Sequence, residues 1–213
     1  MIKIQEPKSP WEIVHMDWVT AQPPGGDRSY NACIVLVDSY SKTPMCLPIH
    51  KDDIGIDTAI MICNKVIIHT GLFKNIISDG DPRFNSALWT NLHNLFGTKL
   101  SFSTAYHPQT DGLAERMIQT LEDMIRIFCA YGLEFKESDG FTHYWYTLIP
   151  AFELAYKTSI HSLTGKTPAM LEEGLNPRTN YDTLKKDLVD IHPTTRRFKR
   201  ILEKARNHAN RCM

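Results

Sequence analysis

The sequence predicts an α/β fold on a mixed sheet, and three observations predict it. Three short runs of strand-forming residues come first, separated by turn formers; strand-like and helix-like segments then alternate; and the strongest helical periodicity follows, over residues 113–131.

In order, "WEIVHMDWVT" (11–20) reads as a strand with large apolar residues on both faces, Ile13 and Val19 on one and Val14, Met16 and Trp18 on the other, which predicts a central place. "PPGGDRS" (23–29) is a turn, "YNACIVLVDS" (30–39) a nearly all-apolar buried strand, and "KTPMCLPIH" (42–50) a third strand whose Pro44 and Pro48 suggest a sheet edge. Short connections make these three an antiparallel meander. Residues 56–70 place Ala59, Ile60, Cys63, Val66 and Ile67 at helical spacing and stop at Gly71. "KNIIS" (74–78) is a strand, 85–96 a helix with Leu88, Leu92 and Leu95 on one face, and "KLSFST" (99–104) a further strand, so two parallel strands join the meander. A helix near 144–158, the turn "HSLTGKTP", a short helix at 168–173 and a basic helix near 194–210 complete the pattern.

At 213 residues and 42% apolar composition, the chain can bury a core. No window approaches the ~18–20 apolar residues of a membrane span, and the first residues lack the apolar segment of a secretory signal, so an intracellular protein is expected. Five scattered cysteines without a CxxC pair point to reduced thiols rather than disulfides or zinc. Net charge is zero but unevenly placed. From Thr194 onward there are seven bases and one acid, Glu203, which leaves 17 bases and 23 acids in residues 1–193. Such a tail suits nucleic acid, and equally a solvated amphipathic helix.

Three acids stand at the ends of core elements. Asp17 is late in the central strand, where a lone acid is costly unless paired. Asp79 directly follows the strand "NIIS", and Glu115 opens the long helix, where the macrodipole favours its ionised form. Converging, they would suit two hard cations, Mg²⁺ or Mn²⁺, about 3.5–4 Å apart, which promote in-line displacement at a phosphodiester. Separately, each has a plainer reading: a hydrogen-bonded strand end, a turn former in "SDGDP", a first-turn dipole partner.

Between Asp79 and Glu115 lie 35 residues. With "HMDWVT", "VDSYSKTPMCLPIHK", "HTGLFKNIISDGDPRFNS", "STAYHPQTDGLAERMIQTLEDMIR" and "LIPAFELAYKTSIHSLTGKTPAMLEEG", the chain resembles the D,D(35)E catalytic core of retroviral-type integrases, especially those of gypsy-like LTR retrotransposons. The resemblance covers residues 9–175, with 176–213 a C-terminal extension carrying the basic helix. It implies a ribonuclease H-like fold: a mixed five-stranded sheet, three antiparallel strands plus two parallel, flanked by helices. It also implies a polynucleotidyl transferase that processes element DNA 3′ ends and joins them to target DNA, with two Mg²⁺ (or Mn²⁺) held by Asp17, Asp79 and Glu115 as the catalytic and metal-binding acids. Asp81 is the rival of Asp79 and Asp111 that of Glu115; Asp111 reads better as a cap or turn residue.

Implied partners are element-end and target DNA and further copies of the chain, as a homodimer or higher oligomer, with no membrane and no nucleotide cofactor. The implied setting is cytoplasmic particles and then the nucleus. Lys42, Arg83, His107, Gln109, Thr110 and Arg116, at loop or helix edges, are the candidate DNA contacts. The chain departs from the family at Gly80, where a bulky basic residue is usual, and at Gln119 and Glu122, where retroviral cores tend to present lysines. The zinc-binding domain that precedes such cores and the small domain that can follow are not recognisable in it. The alternative reading is a catalytically silent, decayed or domesticated core that binds DNA or dimerises.

Overall fold

The computed structural model describes residues 6–19, 30–52, 60–78, 94, 96–102, 119, 120, 122, 123, 126 and 145–177. The strand-forming runs become β1 (Ile13–Val19), β2 (Ala32–Asp38), β3 (Pro44–Ile49), β4 (Asn75–Ser78) and β5 (Lys99–Phe102). They form one sheet in the order β3-β2-β1-β4-β5. β1/β2 and β2/β3 are antiparallel, while β1/β4 and β4/β5 are parallel. β1 is thus internal, as its two apolar faces require, and the prolines of β3 lie on an edge strand, where a missing N–H costs no ladder bond.

Helices cover both faces. On one, Val14, Met16, Ile34 and Leu36 pack with Ile62 and Val66 of α1, the helical segment 60–70. On the other, Val35, Val37 and Cys46 pack with Phe152, Ala155 and Tyr156 of α2 (Ile149–Lys157), which a 3₁₀ turn, Trp145–Leu148, precedes. Cys33 and Cys46 are buried, reduced thiols; Cys63 is only partly buried.

One predicted helix face is corrected. Ile60 is 50% exposed and Cys63 only partly covered, whereas Ile62 and Val66 point inward. Ile62 and Val66, four residues apart, share the inward face, and a π-helical turn spans Cys63–Ile67. The helix still ends where expected: Gly71, at φ 77°, donates its N–H to Ile67 O at 2.9 Å.

α3 (Pro168–Glu173) is bounded by its local sequence. Thr167 Oγ1 accepts from Met170 N at 3.1 Å, Pro168 holds the first turn, and Gly174 closes it in the left-handed region at φ 72°. The turn at 23–29, most of the helix at 85–96, the start of the long helix and the basic helix at 194–210 lie outside the described residues.

At the amino end of β1 a fully buried carboxylate gathers the chain. Asp38 Oδ1 accepts from Trp11 N (2.9 Å) and Tyr40 N (3.1 Å), and Oδ2 from Ser41 N (2.8 Å) and Ser41 Oγ (2.6 Å). Glu172 of α3 then ties the same region down, accepting from Trp11 Nε1 (2.6 Å) and Thr43 Oγ1 (2.8 Å) and pairing with Lys157 of α2 (3.0 Å). Asp38→Ala leaves those amides buried without an acceptor. It should cost about 3 kcal/mol, roughly 6–12 °C in melting temperature, with Asp38→Asn intermediate, as thermal unfolding followed by circular dichroism would show.

Candidate active site

Asp17 sits in the carboxyl half of β1, facing Val35 of β2, and is partly exposed. Cross-strand partners share a face, so Asp17 lies on the α2 side, a polar interruption between buried His15 and buried Val19. Its Oδ1 accepts from Trp18 N at 2.6 Å. On the other flank of β1, parallel pairing places Met16 opposite Ser78, the last residue of β4. The exit of β4 is therefore level with Asp17, at the end of the sheet where open α/β folds assemble their sites.

Asp79, Glu115, Arg83, His107, Gln109, Thr110 and Arg116 lie outside the described residues, as do the rivals Asp81 and Asp111 and the departure Gly80. Among the described residues no group of three His, Cys, Asp or Glu could hold a metal ion. On the described part of the long helix Gln119 is exposed, while Glu122 and Asp123 both pair with Arg126, at 3.3 and 3.1 Å. Nor, among the described residues, is any helix long and apolar enough to cross a membrane.

Lys42 is placed where the sequence did not foresee. It occupies the β2–β3 turn at φ 70°, and that turn joins the amino end of β1 through Ser39 N to Ile13 O at 2.9 Å. Four residues of strand, about 13 Å, separate that end from Asp17, so the structure does not bring the two together. Instead of reaching outward, the Lys42 ammonium folds back on Ser39 O at 2.5 Å. Burial pushes its pKa down, and nearby Asp38 opposes that shift.

Two histidines share this neighbourhood. Burial pushes His15 down to about 4, with Lys42 adding to the effect, and the same two causes lower His161. Neither histidine, nor Asp38 or Glu153, is among the candidate residues that the sequence singles out. A signal was present for each acid: Asp38 closes an apolar run at a turn, and Glu153 falls four residues after Ile149, inside the buried stripe of α2.

No family model matches the sequence. Relatives include the Transposon Tf2-3 and Tf2-4 polyproteins of Schizosaccharomyces pombe, each 35% identical over 170 residues, 79% of this chain. The chain spans only 12% of the length of those relatives. Among solved structures it resembles a chain of the simian T-cell lymphotropic virus intasome in complex with the PP2A regulatory subunit B56 gamma. The TM-score is 0.60 at 18% identity, covering 90% of this chain and 62% of that one. It also resembles the HTLV-2 integrase catalytic core domain in complex with magnesium, with TM-score 0.57 at 18% identity, covering 78% of this chain and 99% of that one.

The fold is therefore that of retroviral integrase catalytic cores. Sequence likeness to the transposon polyproteins sharpens this, and the chain belongs to the integrase cores of LTR retrotransposons.

His15 gives the region a readable pH response. Its folded pKa, about 4, lies below the value of 6.5 expected when unfolded, so the unfolded chain binds the extra proton between those pH values. Stability present above about pH 6.5 is then lost progressively as pH falls toward 4. A series of melting curves should show a steeper acid loss for the parent chain than for His15→Phe; parallel curves would mean that the imidazole is not buried in its neutral form.

Proposed function

We propose that this chain is the catalytic core of a metal-dependent polynucleotidyl transferase that trims the 3′ ends of element DNA and joins them to target DNA. The observation that carries the reading is the register at β1: Asp17 stands level with the exit of β4, where Ser78 faces Met16. A chain that continued β4 by one step, ~3.8 Å between Cα atoms, would set Asp79 beside Asp17. Glu115, opening the long helix, is the third acid, and Asp81 is excluded from the set because it lies two residues further from the strand.

Asp17 fits a hard-cation ligand: it is a carboxylate, partly exposed and held in place by the Trp18 amide, at a rigid position in the middle strand of the sheet. The related HTLV-2 core was solved with magnesium, which supports the same use here. Bound Mg²⁺ or Mn²⁺, one or two ions held by Asp17, Asp79 and Glu115, would supply the acidity that activates a water or 3′ hydroxyl and the charge that stabilises the leaving oxygen. The chain's own part is to fix the three acids, keep them ionised and leave one side open to DNA. Arg83, His107, Gln109, Thr110 and Arg116 are proposed to guide DNA at that side, and Lys42 is omitted because it lies at the opposite end of β1. Residues 176–213 form a proposed basic extension that adds phosphate contacts. Element ends, target DNA, self-association and action in the nucleus complete the proposal.

The test is resolution of a branched strand-transfer product with Mn²⁺, comparing Asp17→Asn, Asp79→Asn and Glu115→Gln with the parent chain. Even an outer partner of a metal ligand is typically worth about 10–100-fold, so each substitution should cost at least that, with little change in melting temperature. Asp17→Asn acting at the parent's rate would sink the reading, and a core that only binds DNA would then be the better account. Deleting residues 194–213 removes seven bases and should flatten the dependence of DNA affinity on salt. An unchanged slope, measured by fluorescence anisotropy, would make the tail a solvated helix or linker.

A further inference from the structure

β3 is one of the two edge strands of the sheet, and its register fixes which of its backbone groups face away from β2. Asp38 N donates to Thr43 O at 3.0 Å, marking 38/43 as a bonded pair. Alternation along the registered ladder then makes 36/45, 34/47 and 32/49 the bonded pairs and turns the backbone groups of 44, 46 and 48 away from β2. Positions 44 and 48 are prolines, which carry no N–H. The outward face of β3 therefore holds a single donor, the amide of Cys46, and Glu153 Oε1 accepts it at 2.6 Å.

Glu153 reaches the edge from α2, and its place is costly. Burial raises its pKa to about 7, although the Cys46 amide, Lys157 and Lys65 all favour the charged form. Lys157 is shared with Glu172 (3.0 Å) and Glu173 (2.5 Å), so it serves Glu153 only in part. A partly buried acid on an otherwise apolar helix face is a poor choice for packing alone. It is a good choice if the Cys46 amide must be kept from other acceptors, because an edge strand with a free donor is a template for pairing.

We propose that Glu153 latches the β3 edge: by occupying the one outward N–H of that strand, it prevents the sheet from extending by β3-to-β3 pairing with a second copy of this chain. The two prolines make the closure permanent at 44 and 48, and Glu153 makes it complete at 46. An antiparallel β3 pair centred on Cys46 would draw two hydrogen bonds from the two Cys46 amides and none from the prolines.

The experiment uses the full 213-residue chain and reads amide hydrogen exchange at Cys46 together with sedimentation over a range of concentrations. Glu153→Met keeps volume and removes the acceptor; Glu153→Gln keeps an acceptor oxygen. Cys46 exchange should rise at least about tenfold in Glu153→Met, which is what one hydrogen bond to a charged acceptor is typically worth, and stay near the parent's rate in Glu153→Gln. Self-association should increase in Glu153→Met and increase further when Pro48→Thr restores a second donor. Unchanged Cys46 exchange in Glu153→Met would overturn the proposal. So would association no greater than the parent's in both Glu153→Met and the double variant.

Discussion

β1 is bonded on both sides in opposite senses, antiparallel to β2 and parallel to β4, and the remaining elements take their positions from it. Because side chains alternate along a strand, a one-residue slip in either ladder would carry Asp17 to the α1 face and Met16 to the α2 face. Large apolar residues on both faces prevent such a slip: Val14, Met16 and Trp18 fill one core and Val19 the other. The register that places Asp17 is thus secured by apolar packing on both faces of the strand, and the Trp18 amide holds its carboxylate.

The described part of the molecule distributes its buried charge unevenly. At the amino end of β1, Asp38 is surrounded by four donors, and Glu172 joins Trp11, Thr43 and Lys157. That end is a polar clamp, with Lys42 folded into it and His15 and His161 held below their usual pKa. The carboxyl end holds Asp17, partly open to solvent. The buried polar network and the candidate acid Asp17 thus lie toward opposite ends of the same strand.

Membership among LTR-retrotransposon integrase cores gives these features a setting. The structural relatives share the sheet and its helices at 18% identity, so their common property is backbone arrangement. The chain spans only 12% of the length of its polyprotein relatives. A β3 edge closed by Pro44, Pro48 and Glu153 leaves that strand no free donor for pairing with another sheet.

Much of the architecture was legible from sequence because local physics sets it. Alternation of apolar residues marked the strands, Pro44 and Pro48 marked the edge, Thr167-Pro168 and Gly174 bounded α3, and Gly71 ended α1. Asp17 was legible as a residue of an internal strand, whereas Asp79 and Glu115 lie outside the described residues. Tertiary structure decided what depends on neighbours far away in sequence. Packing against the sheet turned Ile62 inward beside the expected Val66 and left Ile60 and Cys63 toward solvent. Lys42 faced a carbonyl instead of solvent because the β2–β3 turn folds against the start of β1. Glu153 met Cys46 across 107 residues of chain, a contact that no periodicity encodes. Local periodicity specifies which face of an element is apolar; only packing specifies what a polar group on that face will meet.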